Sequence, residues 1–326
     1  MSNLKKFVIF LSILVVAVPT SAFGYLYYKL NIMHDSSADS GILGSTDYVS
    51  EKGITNILLI GTDGRTVEEE ARSDSMMILT VDNKNKSLKL TSLARDTYVD
   101  IPGYGKQKLT HAYVYGGINL LTETLENNFE LDIQNYAVVN FFSFMDIIDT
   151  LGGVTVEVKS SEIPELNKFI NETYSMNTNP NKGKIQYVKS SGDQKLNGYQ
   201  ALSFARIRKN DSALERDRRQ RAVVQGIING VKDLSIAKYP QLIDSVLPYV
   251  KTNMKPGNII GLGSTVLSIG NLDIKQMEFP IDDEIHSTGG ILGNAGWVLQ
   301  FDPDSLPILH DFIFRDIMPE DNPKLQ

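Results

Sequence analysis

The chain has 326 residues, 32 Lys+Arg against 39 Asp+Glu, a formal net charge of −7 and no cysteine. Its 42% apolar content allows a substantial core. The missing cysteines exclude a disulfide framework, a thiol nucleophile and cysteine-ligated metal; four histidines leave little for a histidine-built zinc site. An acidic total argues against nucleic acid unless basic charge is locally concentrated.

Phe7 to Tyr28 carries no charged residue and follows Lys5 and Lys6. As a helix rising about 1.5 Å per residue it would reach roughly 33 Å, enough for a hydrocarbon core of about 30 Å. The lysine pair places the N-terminus inside and the bulk of the chain outside the cell. Pro19 is tolerated in such a span, and Tyr25, Tyr27 and Tyr28 fall at the expected interface. Thr20-Ser21-Ala22 has the small residues of a processing site. The run, however, exceeds the usual signal core of about 7–15 residues and continues beyond it, which favours an anchor. The expected organisation is a cytoplasmic tail over 1–6, a transmembrane signal anchor over 7–28, a flexible Ser/Gly/Asp-rich linker over 29–53 and one extracellular domain over 54–326.

The body reads as α/β. Ile57–Ile60 and Met76–Val81 are short, nearly continuous apolar runs, the pattern of strands covered on both faces. A turn over Asp82–Lys86 leads to a third strand, Leu88–Ala94. Further strands are expected at Tyr136–Asn140, Val154–Val158 and Ile274–Phe279. Phe141, Phe144, Met145 and Ile148 repeat at helical spacing, and Asn177–Gly192 reads as a long loop or hairpin.

Asp63 directly follows the first strand and Asp74 directly precedes the second. The loop between them is too short for a helical crossover, so these strands should be antiparallel neighbours with both aspartates at one sheet edge. The return strand brings Arg95-Asp96 to the same place. Two carboxylates without cysteine or histidine suit a hard cation such as Mg2+, and arginines beside them suit phosphate oxygens. Turn-forming aspartates and surface arginines would produce the same spacing. Lys108-Leu109-Thr110-His111 is expected in a nearby loop, with His111 open between a structural and a functional role.

Residues 206–221 contain Arg206, Arg208, Lys209, Arg216, Arg218, Arg219 and Arg221 against Asp211, Glu215 and Asp217, a local excess of four positive charges. Ser212-Ala213-Leu214-Glu215 has the capping-box form, so a helix should begin there. At about 100° per residue, Arg216 and Gln220 fall in line with the apolar stripe Val223, Val224, Ile227, Val231 and Leu234; Arg219 borders it and Arg218 faces away. Arginines in phase with a buried stripe need an anionic partner, either a carboxylate or a bound phosphate.

These motifs resemble the LytR-CpsA-Psr family of cell-wall enzymes. The matching stretches are NILLIGTDGR, ARSDSMMILTVD, LTSLARDTYVDIPG, KLTHAYVYGG, VVNFFSFMDIIDTLGGVTVEV and LNGYQALSFARIRKND followed by RDRRQR. The resemblance implies a three-layer α/β/α sandwich with a mixed sheet and an apolar lipid tunnel between sheet and helices. It implies a phosphotransferase that moves a glycopolymer (wall teichoic acid, capsular or another secondary wall polysaccharide) from a polyprenyl-pyrophosphate carrier to peptidoglycan. A phosphodiester forms and polyprenyl phosphate leaves.

By the same resemblance Asp63 and Asp74 hold Mg2+ or Mn2+. Arg72, Arg95, Arg206, Arg208, Arg216 and Gln220 match the family's pyrophosphate-binding residues. Arg65, Lys108 and Arg219 are added as further candidates from their place in the same motifs, and one of the carboxylates is a candidate to take the acceptor's proton. Phe141, Phe144, Met145 and Ile148 could line the tunnel; spacing cannot distinguish that from an ordinary core stripe, which is the preferred reading of the four. The segment from Val231 to Gln326, with Trp297, would complete the sheet and the tunnel wall. The family usually carries an acid three residues before the arginine matched by Arg216; Ala213 stands there, leaving Asp211 or Glu215 as substitutes. A lipid-pyrophosphate hydrolase, or a membrane-anchored regulator or polymer-binding protein, fits the same motifs. No nucleic-acid partner is expected, because the basic run lies outside the cell.

Overall fold

The computed structural model describes residues 24–35, 48–64, 72–179, 182–208, 213–235, 238–246, 250–271, 273–281, 283 and 285–325. In chain order the elements are α1 (24–33), β1 (Ile54–Thr62), β2 (Ser73–Asp82), β3 (Ser87–Leu93), β4 (Tyr98–Ile101), β5 (Gly105–Lys108), α2 (Leu109–Phe129), β6 (Asn135–Asn140) and α3 (Phe141–Thr150). There follow β7 (Val154–Val158), α4 (Ile163–Met176), β8 (Gly192–Leu196), α5 (Gly198–Ala205), α6 (Ala213–Lys232), α7 (Tyr239–Val246), β9 (Val250–Thr252), α8 (Pro256–Ile269), β10 (Ile274–Phe279), β11 (Ser287–Ile291), β12 (Trp297–Phe301) and α9 (Leu306–Arg315).

Six strands form a mixed sheet in the order β10-β3-β2-β1-β6-β9. The β1–β2 and β2–β3 pairs are antiparallel, as the short loop and tight turn require; β6 and β10 join in parallel. The continuous apolar runs have their reason in the layering. Leu58, Ile60, Met76 and Ile78 pack on one face with Leu121, Leu125 and Phe129 of α2 and Phe312 of α9. Their chain neighbours Ile57 and Met77 pack on the other with Val224 and Ile228 of α6 and Leu262 of α8. Alternate side chains point to opposite faces of a strand, and helices cover both. Val154–Val158 is a strand, but it pairs with β8 in a separate two-stranded sheet rather than in the main sheet.

Helices α3, α4 and α5 share a second apolar cluster with that small sheet. Their packing is close: a Cβ at Gly198 would stand 2.3 Å from the Met145 carbonyl oxygen, so only glycine lets α5 approach α3 this way. Helix α5 opens on a reciprocal cap in which Asn197 accepts from Gln200 N–H at 3.1 Å while Gln200 accepts from Asn197 N–H at 3.0 Å. Asn197→Ala should cost about 1 kcal/mol in a denaturant titration.

Residues 1–23, which hold most of the expected anchor, lie outside the described residues, and no described helix is long and apolar enough to cross a membrane. The part of the expected linker that is described is tied down. Asp35 N–H donates to the Thr252 carbonyl at 2.8 Å, and Lys29 pairs with Asp244 of α7 at 2.7 Å.

Candidate active site

The two aspartates stand where β1 ends and β2 begins; the register pairs Gly61 with Ser75 and Thr62 with Ser73 across a bulge. Arg72 N–H donates to Asp63 Oδ1 at 2.9 Å, closing the loop onto that carboxylate. Asp74 accepts from Arg95 at 2.5 Å and from Arg208 at 3.5 Å, so the ends of β2, β3 and α5 meet on one side chain. Asp96, beside Arg95, holds Lys108 at 3.0 Å. Arg65 lies outside the described residues.

Arg206 and Arg208 emerge from the end of α5. The Arg206 guanidinium sits 5.5 Å from the Phe141 ring centre and 5.2 Å from that of Phe169, with Glu172 at 3.7 Å. Burial, reinforced by the positive charge of Arg95, Arg216 and Arg206, lowers the Arg208 pKa against the pull of Asp74. Asp217, 3.6 Å from Arg216, is pushed up to about 6 by burial although Arg216 and Arg221 pull it down. Among the described residues, Arg206 Nη1 and Arg216 Nε are buried without a hydrogen-bond partner. Arg206, Arg208 and Arg216 thus converge beside the single carboxylate of Asp74 with donor atoms to spare, a composition that suits an anion.

Behind this cluster lies an apolar cavity of about 310 Å³ between the sheet and α3, α5 and α6. Its floor includes Leu59, Met77, Leu79 and Val139, its roof includes Leu202, Val224 and Ile227, and Asp74, Arg206, Arg208, Arg216 and Gln220 supply its polar end. Helical phase thus places Arg216 and Gln220 on the cavity side of α6, as their spacing predicts. Phe141 and Phe144 line the cavity; Met145 and Ile148, one turn further round, are fully buried in the α3–α5 cluster instead. Ile147 completes the wall and was invisible to the stripe pattern because it falls off it.

Four further expectations change. Arg219 does not reach the cavity: it is fully buried, 3.2 Å from Glu162, and donates to the Ile207 carbonyl at 2.8 Å, so it ties the Arg206–Arg208 segment to α6. Lys108 to His111 is no loop but the end of β5 and the first turn of α2, because Leu109 and Thr110 N–H donate to the Thr97 and Arg95 carbonyls. Glu215 is held by Lys159 at 3.0 Å and Arg218 at 2.9 Å and is not among the residues lining the cavity; Asp211 and Ser212 lie outside the described residues. The segment after Val231 does complete the sheet, through β9 and β10, but no described residue beyond Ile228 lines the cavity, and Trp297 is exposed on the β11–β12 hairpin.

A family model, the LytR_cpsA_psr family, matches residues 22–302. The chain belongs to the LytR-CpsA-Psr family. Among its relatives is the polyisoprenyl-teichoic acid–peptidoglycan teichoic acid transferase TagT of Bacillus subtilis, 35% identical over 68% of this chain and 67% of that one. The fold is similar to that of TagT bound to LI-WTA (TM-score 0.66, 27% identity, covering 84% of this chain and 96% of that one). It is also similar to the family protein YwtF (TagT) with bound octaprenyl pyrophosphate lipid (TM-score 0.62, 25% identity, 84% and 96%).

Proposed function

We propose that the chain transfers a glycopolymer, teichoic acid or a related secondary wall polymer, from a polyprenyl-pyrophosphate carrier to peptidoglycan, from a position outside the membrane and anchored by residues 7–28. One observation carries this reading: an apolar cavity ends in a cluster of arginines with too few carboxylates. An amphiphile with a long apolar chain and a doubly charged head matches both halves, whereas nucleic acid or a small polar metabolite matches one.

Phosphoryl transfer asks the protein mainly to position groups and to stabilise charge on phosphate oxygens. Arg95 and Arg208, steered by Asp74, and Arg206, steered by Phe141 and Phe169, would grip the pyrophosphate oxygens. Arg216 adds charge from α6, and Gln220 beside it donates to a bridging or terminal oxygen. Arg72 and Lys108 lie further along the edge and suit the glycan phosphate or the acceptor side.

Asp63 and Asp74 fit a hard cation by donor chemistry. Both are oxygen donors, and among the described residues no group of three or more metal-binding side chains gathers. A cation there would take its remaining ligands from phosphate oxygens and water, the habit of Mg2+. When bound it would neutralise charge on the pyrophosphate. Transfer by the full chain should stop in EDTA and return with Mg2+ or Mn2+, followed as polymer moved from lipid to peptidoglycan. Full activity in EDTA would remove the metal role of the two aspartates. Product release without peptidoglycan would instead favour a hydrolase.

A further inference from the structure

The cavity and the helix α2 lie on opposite faces of the sheet: Leu59, Met77 and Leu79 look into the cavity, whereas Leu109 and Ala112 of α2 pack on the face of Leu58 and Ile78. The Asp74–Arg95 edge separates them. In an in-line displacement at phosphorus the attacking oxygen approaches opposite the leaving oxygen. If the lipid phosphate leaves toward the cavity, the acceptor must arrive from the α2 side. The first turn of α2 is pinned to that edge: Thr110 Oγ1 donates to the Ser73 carbonyl at 3.0 Å and Thr110 N–H to the Arg95 carbonyl at 3.1 Å.

What stands there is a histidine with one nitrogen already engaged. Gln107 Oε1 accepts from Tyr115 Oη–H at 2.7 Å and lies 3.0 Å from His111 Nδ1. The Gln107 amide nitrogen reaches toward the Tyr104 carbonyl at 3.4 Å, which fixes which end of the amide faces the imidazole. In this orientation of the amide, His111 donates from Nδ1 and Nε2 is its lone-pair acceptor. Burial, then Lys108 and Arg72, hold the His111 pKa below the ordinary histidine value, with Asp96 opposing; the ring is neutral at neutral pH. Beside it Tyr104 and Tyr115 stack at 4.5 Å between ring centres and 18° between planes, both exposed to solvent, at 51% and 39%. Gly116 and Gly117 break α2 directly after Tyr115, so this first segment is set apart from the part of the helix buried in the core.

We infer that the β4–β5 turn and the first segment of α2 form the acceptor-sugar subsite, with the Tyr104–Tyr115 pair as the platform for a peptidoglycan saccharide and His111 Nε2 as the base that takes its hydroxyl proton. Two exposed aromatic rings offer an apolar face to the C–H face of a sugar, and the site is continuous with the reaction edge through Thr110 and Lys108. In the step, the acceptor oxygen forms a bond to the glycan-bearing phosphorus as the bond to the bridging oxygen breaks. The hydroxyl proton passes to Nε2, and the bridging oxygen leaves with its electron pair as polyprenyl phosphate. No oxidant or reductant is needed. The inference rests on the transferase reading and deepens it.

The test uses the full chain in detergent with a polyprenyl-pyrophosphate-linked glycan as donor and uncrosslinked peptidoglycan strands as acceptor. His111→Gln should lower kcat for transfer about 100-fold, leave the acceptor KM within about twofold, and abolish the fall in kcat toward acid pH. Tyr104→Ala should raise the acceptor KM about tenfold. Gln107→Glu, which places a carboxylate on Nδ1–H, should shift the acid limb to higher pH, a displacement that loss of structure would not produce. A His111→Gln enzyme with kcat within twofold of the parent, a retained acid limb, or an unmoved KM in Tyr104→Ala would each overturn the assignment. If the unaltered chain transfers nothing, the transferase reading fails by itself. NMR shifts induced by a soluble disaccharide-peptide fragment of peptidoglycan then decide the subsite. Shifts centred on Tyr104, His111 and Tyr115 support it, and their absence overturns it.

Discussion

Arg95→Ala is expected to fold as the parent does and to lose transfer by about 10²–10³-fold, the effect of removing one preorganised charge from a phosphate-stabilising site. The reason is its position. Arg95 lies two residues past the end of β3, 2.5 Å from Asp74 and 3.5 Å from Asp96, and is not part of the apolar clusters. Its removal leaves Asp74 with Arg208 alone, so the carboxylate and the remaining arginine lose a shared orientation as well as a charge. Circular dichroism and the melting temperature should be unchanged, while polymer transferred from lipid to peptidoglycan falls. Arg206→Ala should behave alike but with weaker donor binding, because its guanidinium spans Phe141 and Phe169 at the cavity wall. Full activity in either variant would remove the arginine clamp from the mechanism.

Glu162→Ala should be the reverse case, a large loss of stability at a residue remote from the substrate. Glu162 ends the 3₁₀ turn Ser160–Glu162 before α4, is nearly fully buried, and accepts from Arg218 at 2.6 Å and Arg219 at 3.2 Å. Without its carboxylate the Arg219 charge stays buried on α6 and faces one anion fewer, at a cost of about 3–5 kcal/mol. Arg219 also holds the Ile207 carbonyl. The loss should therefore spread to Arg206 and Arg208 on either side and weaken donor binding before the domain melts. Guanidinium titration measures the first effect and lipid binding the second; an unaltered unfolding midpoint would show that the pair contributes nothing net.

Much of this architecture is legible in the chain. Ile57–Ile60 of β1 and Met76–Leu79 of β2 are continuous apolar runs because each strand has two buried faces, and the short loop between Asp63 and Asp74 leaves only an antiparallel pairing. Convergence of Asp74 with Arg95 follows from those facts. The phase of α6 likewise brings Arg216 and Gln220 to the cavity, because a helix turns by a constant angle and the apolar stripe marks the inward side.

Periodicity alone could not separate residues that share a stripe but meet different neighbours. Phe144 and Met145 are adjacent and both apolar. One faces the cavity and the other is buried in the cluster shared by α3, α4 and α5, a distinction made only when α5 closes on α3. Arg219 is as basic as Arg216 and borders the same stripe, yet Glu162, 57 residues away in sequence, claims it. Lys108 to His111 reads as a loop because the helix start is held by backbone carbonyls of Thr97 and Arg95, groups that every sequence carries.

The charge balance divides in the same way. A net −7 with a basic run is a property of the chain, determined by composition. Which of those arginines are neutralised within the protein and which remain for a ligand depends on carboxylates brought within a few ångströms from distant segments, and only the tertiary structure decides that.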